Sequence, residues 1–104
     1  MRIDKFLKLS GLVKRRALAR EMTDIGAVRL NGRTVKPSVG TKVSDTIEIA
    51  FPARVVTAEV ISVDERAMKH GEPSVRITGD RRLGRDEHPW AVTEDIERSV
   101  QNHE

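Results

Sequence analysis

Apolar residues near the start of the chain recur at the spacing of α-helices. In residues 2–9 they fall at i, i+3 and i+4, which predicts a short amphipathic helix. Residues 14–25 extend the same pattern to i+7 and predict a second helix, which Gly26 ends as a C′ glycine. The positions that we expect in the core are Leu7, Leu18, Met22, Ile25, Val28 and Leu30.

After Gly26 the apolar pattern changes to the alternation that is typical of β-strands. Asn31-Gly32 lies between two short alternating segments, which predicts a hairpin, because a type I′ turn needs positive φ at both central residues. Residues 46–51 and 55–63 predict two further strands that pair antiparallel. This order predicts an α+β fold in which two N-terminal helices pack on a small twisted antiparallel sheet.

The chain becomes strongly polar from residue 64 onward. We expect a brief strand at 74–78, a charged loop at 80–89 and a short helix beginning at Thr93. Much of 80–104 is expected to be disordered, since it offers few apolar groups to offset the entropy of ordering. The sequence therefore predicts one domain at 1–63 and a polar, acidic extension at 64–104.

Positive charge is concentrated at the N-terminal end. Residues 1–36 contain ten Lys/Arg and three acids, whereas 37–104 contain nine Lys/Arg and thirteen acids, which gives balances of +7 and −4. Such asymmetry indicates a polyanionic partner, most commonly nucleic acid. Phe6, Phe51 and Trp90 are the only aromatic residues, too few for a base-stacking platform, so recognition of RNA backbone and shape is favoured.

The sequence lacks the residues that several classes of function require. Cysteine is absent, which excludes disulfides, thiolate zinc sites and a cysteine nucleophile. The histidines His70, His88 and His103 are isolated in sequence, and no P-loop or nucleophile signature is present. No apolar run approaches the roughly 20 residues that span a bilayer. We expect a cytoplasmic, monomeric, non-catalytic protein with no cofactor, no metal and no membrane partner.

Three N-terminal segments together identify a family. They read R-I-D-K-F-L, K-R-R-A-L-A-R-E-M and I-G-A-V-R-L-N-G-R-T-V-K-P-S. In this order they resemble the S4 RNA-binding domain, with its αL-type RNA-binding motif, over about half the chain. Among stand-alone members, the chain is most similar to the small bacterial RqcP (YabO) type and the fifteen-kilodalton heat-shock type. The latter has a long basic C-terminal extension, whereas the tail here is acidic, which favours the RqcP-like interpretation.

The resemblance implies a role in rescue or quality control of stalled ribosomes. The implied partners are ribosomal RNA of the large subunit and tRNA or peptidyl-tRNA. The basic residues at the start of the second helix agree with RNA partners, because a helix N-terminus binds phosphate and an arginine side chain can donate two parallel hydrogen bonds to it. The predicted RNA-binding surface consists of Arg2, Lys5, Lys14, Arg15, Arg16, Arg20, Arg33 and Lys36.

Some residues and functions have alternative interpretations. Asp4 is expected to orient an arginine, and Arg29 is either a contact or an ordinary solvated strand residue. Trp90 is a docking anchor for the domain, an anchor for a protein partner, or a packing residue. The competing functions are a general RNA chaperone or ribosome-assembly factor, and a protein–protein adaptor that acts through the acidic tail.

Overall fold

The computed structural model describes residues 1–84, Glu87 and Trp90. These residues form α1 (Ile3–Leu9), α2 (Arg16–Asp24), β1 (Val28–Leu30), β2 (Arg33–Thr34), β3 (Thr46–Phe51), β4 (Arg54–Val60), α3 (Glu65–Lys69) and β5 (Val75–Arg82). The strands form one antiparallel sheet in the order β2-β1-β3-β4-β5. The predicted α+β fold is confirmed. Among the described helices, none is both long and apolar enough to cross a membrane.

The core lies between the two N-terminal helices and one face of the sheet. Phe6 of α1 and Met22 of α2 are fully buried, as are Val28 of β1 and its cross-strand neighbour Ile49 of β3. Burying a side chain of this size contributes about 1.5–3 kcal/mol. Four of the six predicted core residues are buried, namely Leu7, Met22, Val28 and Leu30. The other two, Leu18 of α2 and Ile25 at the C-cap of α2, are partly buried.

The β1–β2 turn confirms the hairpin prediction. Asn31 has a φ of 51° and Gly32 a φ of 82°, so both central residues lie in the left-handed region. The Asn31 side chain also fixes the turn to the start of β3. Its Oδ1 accepts a hydrogen bond from the Thr46 N–H at 2.9 Å, and its Nδ2 donates to Asp45 Oδ1 at 3.0 Å.

The segment after β4 differs from the prediction. β4 ends at Val60 rather than at residue 63, and a helix, α3, follows that was not predicted. Asp64 is its N-cap, and the carboxylate accepts a hydrogen bond from the Ala67 N–H at 3.1 Å. This contact satisfies one of the backbone donors that a helix leaves free at its first turn.

The last strand is longer than predicted. β5 continues to Arg82, so the loop predicted at 80–89 is wrong for residues 80–82, which pair with β4. Arg54 of β4 forms an ion pair with Asp80 at 3.5 Å, and charged side chains are typical of an edge strand. The helix predicted from Thr93 to Val100 lies outside the described residues. The division at residue 63 stays a prediction.

The hairpin turn predicts a backbone cost for any side chain at Gly32. A Cβ there would meet only Arg29 Nη2 at 3.9 Å, so space is available and the strain comes from φ alone. We expect Gly32→Ala to lower the free energy of unfolding by about 1–2 kcal/mol in urea unfolding.

Gly40→Ala is the matched control, because a Cβ at Gly40 meets nothing within 4 Å and its φ lies outside the left-handed region. This variant should stay within about 0.5 kcal/mol of the parent. Equal effects of the two substitutions would contradict the assignment of the turn.

Candidate nucleic-acid interface

A buried carboxylate at the start of α1 holds two arginines. Asp4 is 1 % exposed. Arg2 donates to both of its oxygens, from Nε and Nη2, each at 3.2 Å. Arg16 of α2 donates from Nη2 to Oδ1 at 3.5 Å, and the Lys5 N–H donates to the same oxygen at 2.7 Å. The prediction that Asp4 orients an arginine is confirmed, and it orients two.

The surroundings of Asp4 keep it ionised. Burial raises the pKa of its carboxyl group, because a charge is poorly solvated there. The hydrogen bonds from Arg2 and the Lys5 N–H and the positive charge of Arg16 outweigh burial, so the pKa of Asp4 lies below its ordinary value. Asp4 therefore carries a full negative charge at neutral pH and forms charge-assisted bonds with both arginines.

Backbone contacts hold Arg2 in position. The Ile3 N–H donates to Val39 O at 2.8 Å, the Asp4 N–H donates to Pro37 O at 3.3 Å, and Arg2 forms a β-bridge with Gly40. The segment that follows the hairpin is thus docked against the start of α1. Through these bonds the position of Arg2 depends on residues 37–40 as well as on α1.

Arg2 and Arg16 are fixed by Asp4 and still reach solvent. Their side chains are 48 % and 49 % exposed, so part of each guanidinium remains available to a ligand. Together with Arg20, one turn further along α2, they line a shallow surface depression of about 400 Å³. A depression that holds three arginines, two of them immobilised, fits phosphate groups.

Four further predicted residues lie in three other places. Lys14 and Arg15 are exposed at the start of α2, where no side chain caps the helix. Arg33 is exposed on β2, and Lys36 lies beside the C-terminal end of α2 in a depression that Thr34 also lines. The structure thus brings together Arg2, Arg16 and Arg20, with Lys14 and Arg15 at one end of α2 and Lys36 at the other.

Lys5 is directed away from this group. Its ammonium forms an ion pair with Glu65 of α3, and Lys69 pairs with the same carboxylate at 3.2 Å. Hydrogen bonds from Lys5 and Lys69 lower the pKa of the Glu65 carboxyl group. Lys5 therefore links α1 to α3 in this structure, and its role in binding RNA stays a prediction.

Arg29 is engaged within the protein. Its Nε and Nη2 donate to Gly32 O at 3.3 and 2.9 Å, and its Nε lies 3.9 Å from Glu48 Oε1. Its guanidinium carbon lies 4.8 Å from the centre of the Trp90 ring, and Trp90 Nε1 donates to Gly26 O at 2.7 Å. Of the interpretations of Trp90 considered from sequence, the contacts support the docking anchor. Within the described part of the chain, no three His, Asp or Glu side chains cluster as metal ligands.

The N-terminal part of the chain matches a known domain family. The S4 domain matches residues 1–47, which contain α1, α2 and the β1–β2 hairpin. A protein of Listeria innocua named RQC P-site tRNA stabilizing factor is 42 % identical over 69 residues, which cover 66 % of this chain and 75 % of the relative. A protein of the same name in Bacillus subtilis is 41 % identical over 85 residues, which cover 81 % of this chain and 99 % of the relative.

The fold is also similar to that of a solved structure. The trimeric structure of Vibrio cholerae Heat Shock Protein 15 matches with a TM-score of 0.64 and 22 % sequence identity, covering 98 % of this chain and 91 % of that chain. At this identity the likeness is one of fold.

The lowered pKa of Asp4 predicts a pH-dependent contribution to stability. The group is ionised and paired in the folded state, and it returns to its ordinary pKa of about 4 on unfolding. Its contribution is therefore present above about pH 4 and is lost as the pH falls through the lower, folded value. We expect Asp4→Asn to lower the free energy of unfolding by about 1–3 kcal/mol near pH 7 and by progressively less as the pH falls below about 4.

The measurement is urea unfolding of both proteins at several pH values. Asp24→Asn, at an exposed position on α2, controls for the loss of a surface carboxylate. A loss from Asp4→Asn that is the same at every pH would contradict the role of the ionised carboxylate.

Proposed function

Because the chain belongs to the S4-domain family of the bacterial RQC P-site tRNA stabilizing factors, we propose that it is a non-catalytic RNA-binding protein that holds tRNA against large-subunit ribosomal RNA during ribosome quality control. It acts in the cytoplasm on ribosomes that have stalled. The coarse part of this proposal, RNA binding in quality control, rests on the named relatives. The finer part rests on the basic side chains around α2.

The observation that carries the proposal is the pairing of Arg2 and Arg16 with the buried Asp4. A free arginine loses side-chain entropy when it binds a phosphate, at a cost of up to about 2 kcal/mol. In this protein, Arg2 and Arg16 have already lost part of that side-chain entropy when the chain folds and they pair with Asp4. The two guanidinium groups are therefore preorganised for a phosphate that lies in the depression beside Arg20.

The other basic residues extend this surface toward both ends of α2. Lys14 and Arg15 lie at its N-terminus, where free N–H groups and the helix dipole favour an anion. Lys36 lies near its C-terminus, and Arg33 extends the surface along the hairpin. Nine residues of helix separate the two ends by about 14 Å. We infer that the two ends contact different RNA segments, so that the protein fixes tRNA and ribosomal RNA relative to each other.

The surface predicts the salt dependence of binding. Arg16→Ala combined with Arg20→Ala should weaken binding to large subunits that carry tRNA by at least about 10-fold at moderate salt. It should also reduce the slope of log K against log salt by about 2, because each lost phosphate contact removes about one released counterion. Binding is measured by sedimentation over a series of salt concentrations.

A charge-matched control is available on the far edge of the sheet. Arg76 and Arg82 are exposed on β5, which lies at the edge opposite β2. Arg76→Ala combined with Arg82→Ala removes the same total charge and should leave the salt slope nearly unchanged. Equal slopes for the two double variants would contradict the proposed surface.

Co-sedimentation with ribosomal particles tests the function itself. We expect enrichment on large subunits that carry peptidyl-tRNA over empty large subunits, small subunits and free tRNA. Equal binding to every particle and to free RNA would instead support a general RNA chaperone or assembly factor. Absence of binding to any RNA would favour the adaptor that acts through the acidic tail.

A further inference from the structure

Trp90 lies far along the chain from the segment that matches the S4 domain, yet its indole N–H and its ring both contact residues of that segment. The match ends at residue 47. Trp90 is partly buried, donates its indole N–H to Gly26 O and stacks against the guanidinium of Arg29. Gly26 ends α2, and Arg29 is the central residue of β1. The tryptophan therefore contacts the junction between the helix and the hairpin.

Arg29 connects Trp90 to the hairpin turn. The same guanidinium that contacts the Trp90 ring donates two hydrogen bonds to Gly32 O. Trp90 is thus connected to the end of α2 directly and to the β1–β2 turn through one side chain. A planar guanidinium suits this arrangement, because it stacks on a ring with its face while its edge donates hydrogen bonds.

The hairpin is held from both faces of the sheet. Val28 and Leu30 are buried toward the helices, so the alternation of β1 directs Arg29 to the opposite face, where it pairs with Glu48 of β3. Trp90 contacts Arg29 and therefore supports β1 from the face that the helices leave open. The support matters because β2 has two residues and pairs only with β1 in the described sheet.

We propose that Trp90 is a positioning residue for RNA binding: through Arg29 and Gly26 it fixes the angle of the β1–β2 hairpin against α2, and so the place of Arg33. This inference rests on the proposed function. It assigns to Trp90 a part in shaping the RNA-binding surface, with no contact to RNA of its own. It also explains why Arg29 is committed to contacts within the protein.

The test compares Trp90→Ala with the parent in binding to large subunits that carry tRNA, over a salt series. We expect affinity to fall about 3- to 10-fold and the salt slope to fall by no more than about 1, because a mispositioned Arg33 loses part or all of its phosphate contact. Arg33→Ala should lower the slope by about 1. In the Trp90→Ala background, Arg33→Ala should cost less affinity than in the parent, because a mispositioned Arg33 contributes less.

Two charge-preserving variants separate positioning from general loss of stability. Arg29→Lys keeps the charge but loses the paired hydrogen bonds to Gly32 O. It should reduce RNA affinity about as much as Trp90→Ala does, and the double variant should bind no more weakly than either single variant. Trp90→Phe keeps a ring for Arg29 but loses the N–H donor, and it should have an intermediate effect. Phe51→Ala is the matched control, since it removes another aromatic ring that contacts an arginine, Arg54, at 5.4 Å. It should leave RNA affinity within about 2-fold of the parent.

Docking can also be observed without RNA. Trp90 is the one tryptophan of the chain, so its fluorescence reports on its surroundings directly. Acrylamide should quench it more strongly in Arg29→Lys than in the parent. Equal quenching in the two proteins would overturn the contact.

The binding outcomes distinguish failure of the inference from failure of the function. If the parent does not bind, the proposed function falls and this inference with it. If the parent binds and Trp90→Ala binds equally well or more tightly, the inference alone is overturned. Tighter binding would mean that the contacts of Trp90 restrain RNA binding.

Discussion

The ionised carboxylate of Asp4 is the constraint on which the proposed RNA-binding surface depends. A buried charge is costly unless it is paired and hydrogen-bonded, so the fold requires Arg2 and Arg16 at their places. Arg2 is the N-cap residue of α1 and Arg16 is the first residue of α2, and the segment after the hairpin docks against the start of α1. One side chain therefore couples three parts of the motif, and it also converts two mobile cations into fixed ones.

Some basic residues of the N-terminal region form contacts within the protein, and others are exposed at its surface. Lys5 pairs with Glu65 and Arg29 is held between Trp90 and Gly32, so both join parts of the protein to each other. Arg20 and Arg33 are exposed at the surface. Arg2 and Arg16 belong to both kinds, since each is anchored at Asp4 and half exposed to solvent. A strongly basic sequence can therefore have a smaller RNA-binding surface than its charge count suggests.

Sequence patterns were most informative where the cause of structure is local. Helical spacing, a C′ glycine and Asn31-Gly32 act within a few residues, and α1, α2 and the hairpin agree with them. α3 is five residues long, and its signal was a single capping residue, Asp64. The length of β5 depends on pairing with β4 rather than on its own charged residues. For the same reason, the directions of Lys5 and Arg29 are set by partners distant in sequence and could not be predicted from charge patterns alone.

The side chain of Asn31 has a chemical consequence for the ageing of the protein. Its amide nitrogen donates to the buried Asp45 carboxylate at 3.0 Å, and its amide oxygen accepts from Thr46. Hydrolysis of this amide to a carboxylate, as Asn31→Asp would mimic, would replace the donor with a second negative charge directly facing Asp45. Attraction would become repulsion in a poorly solvated place. A change of less than one mass unit would then replace the link between the turn and Asp45 with repulsion, while the backbone pairing of β1 with β3 remains, and the damage would accumulate with the age of the molecule.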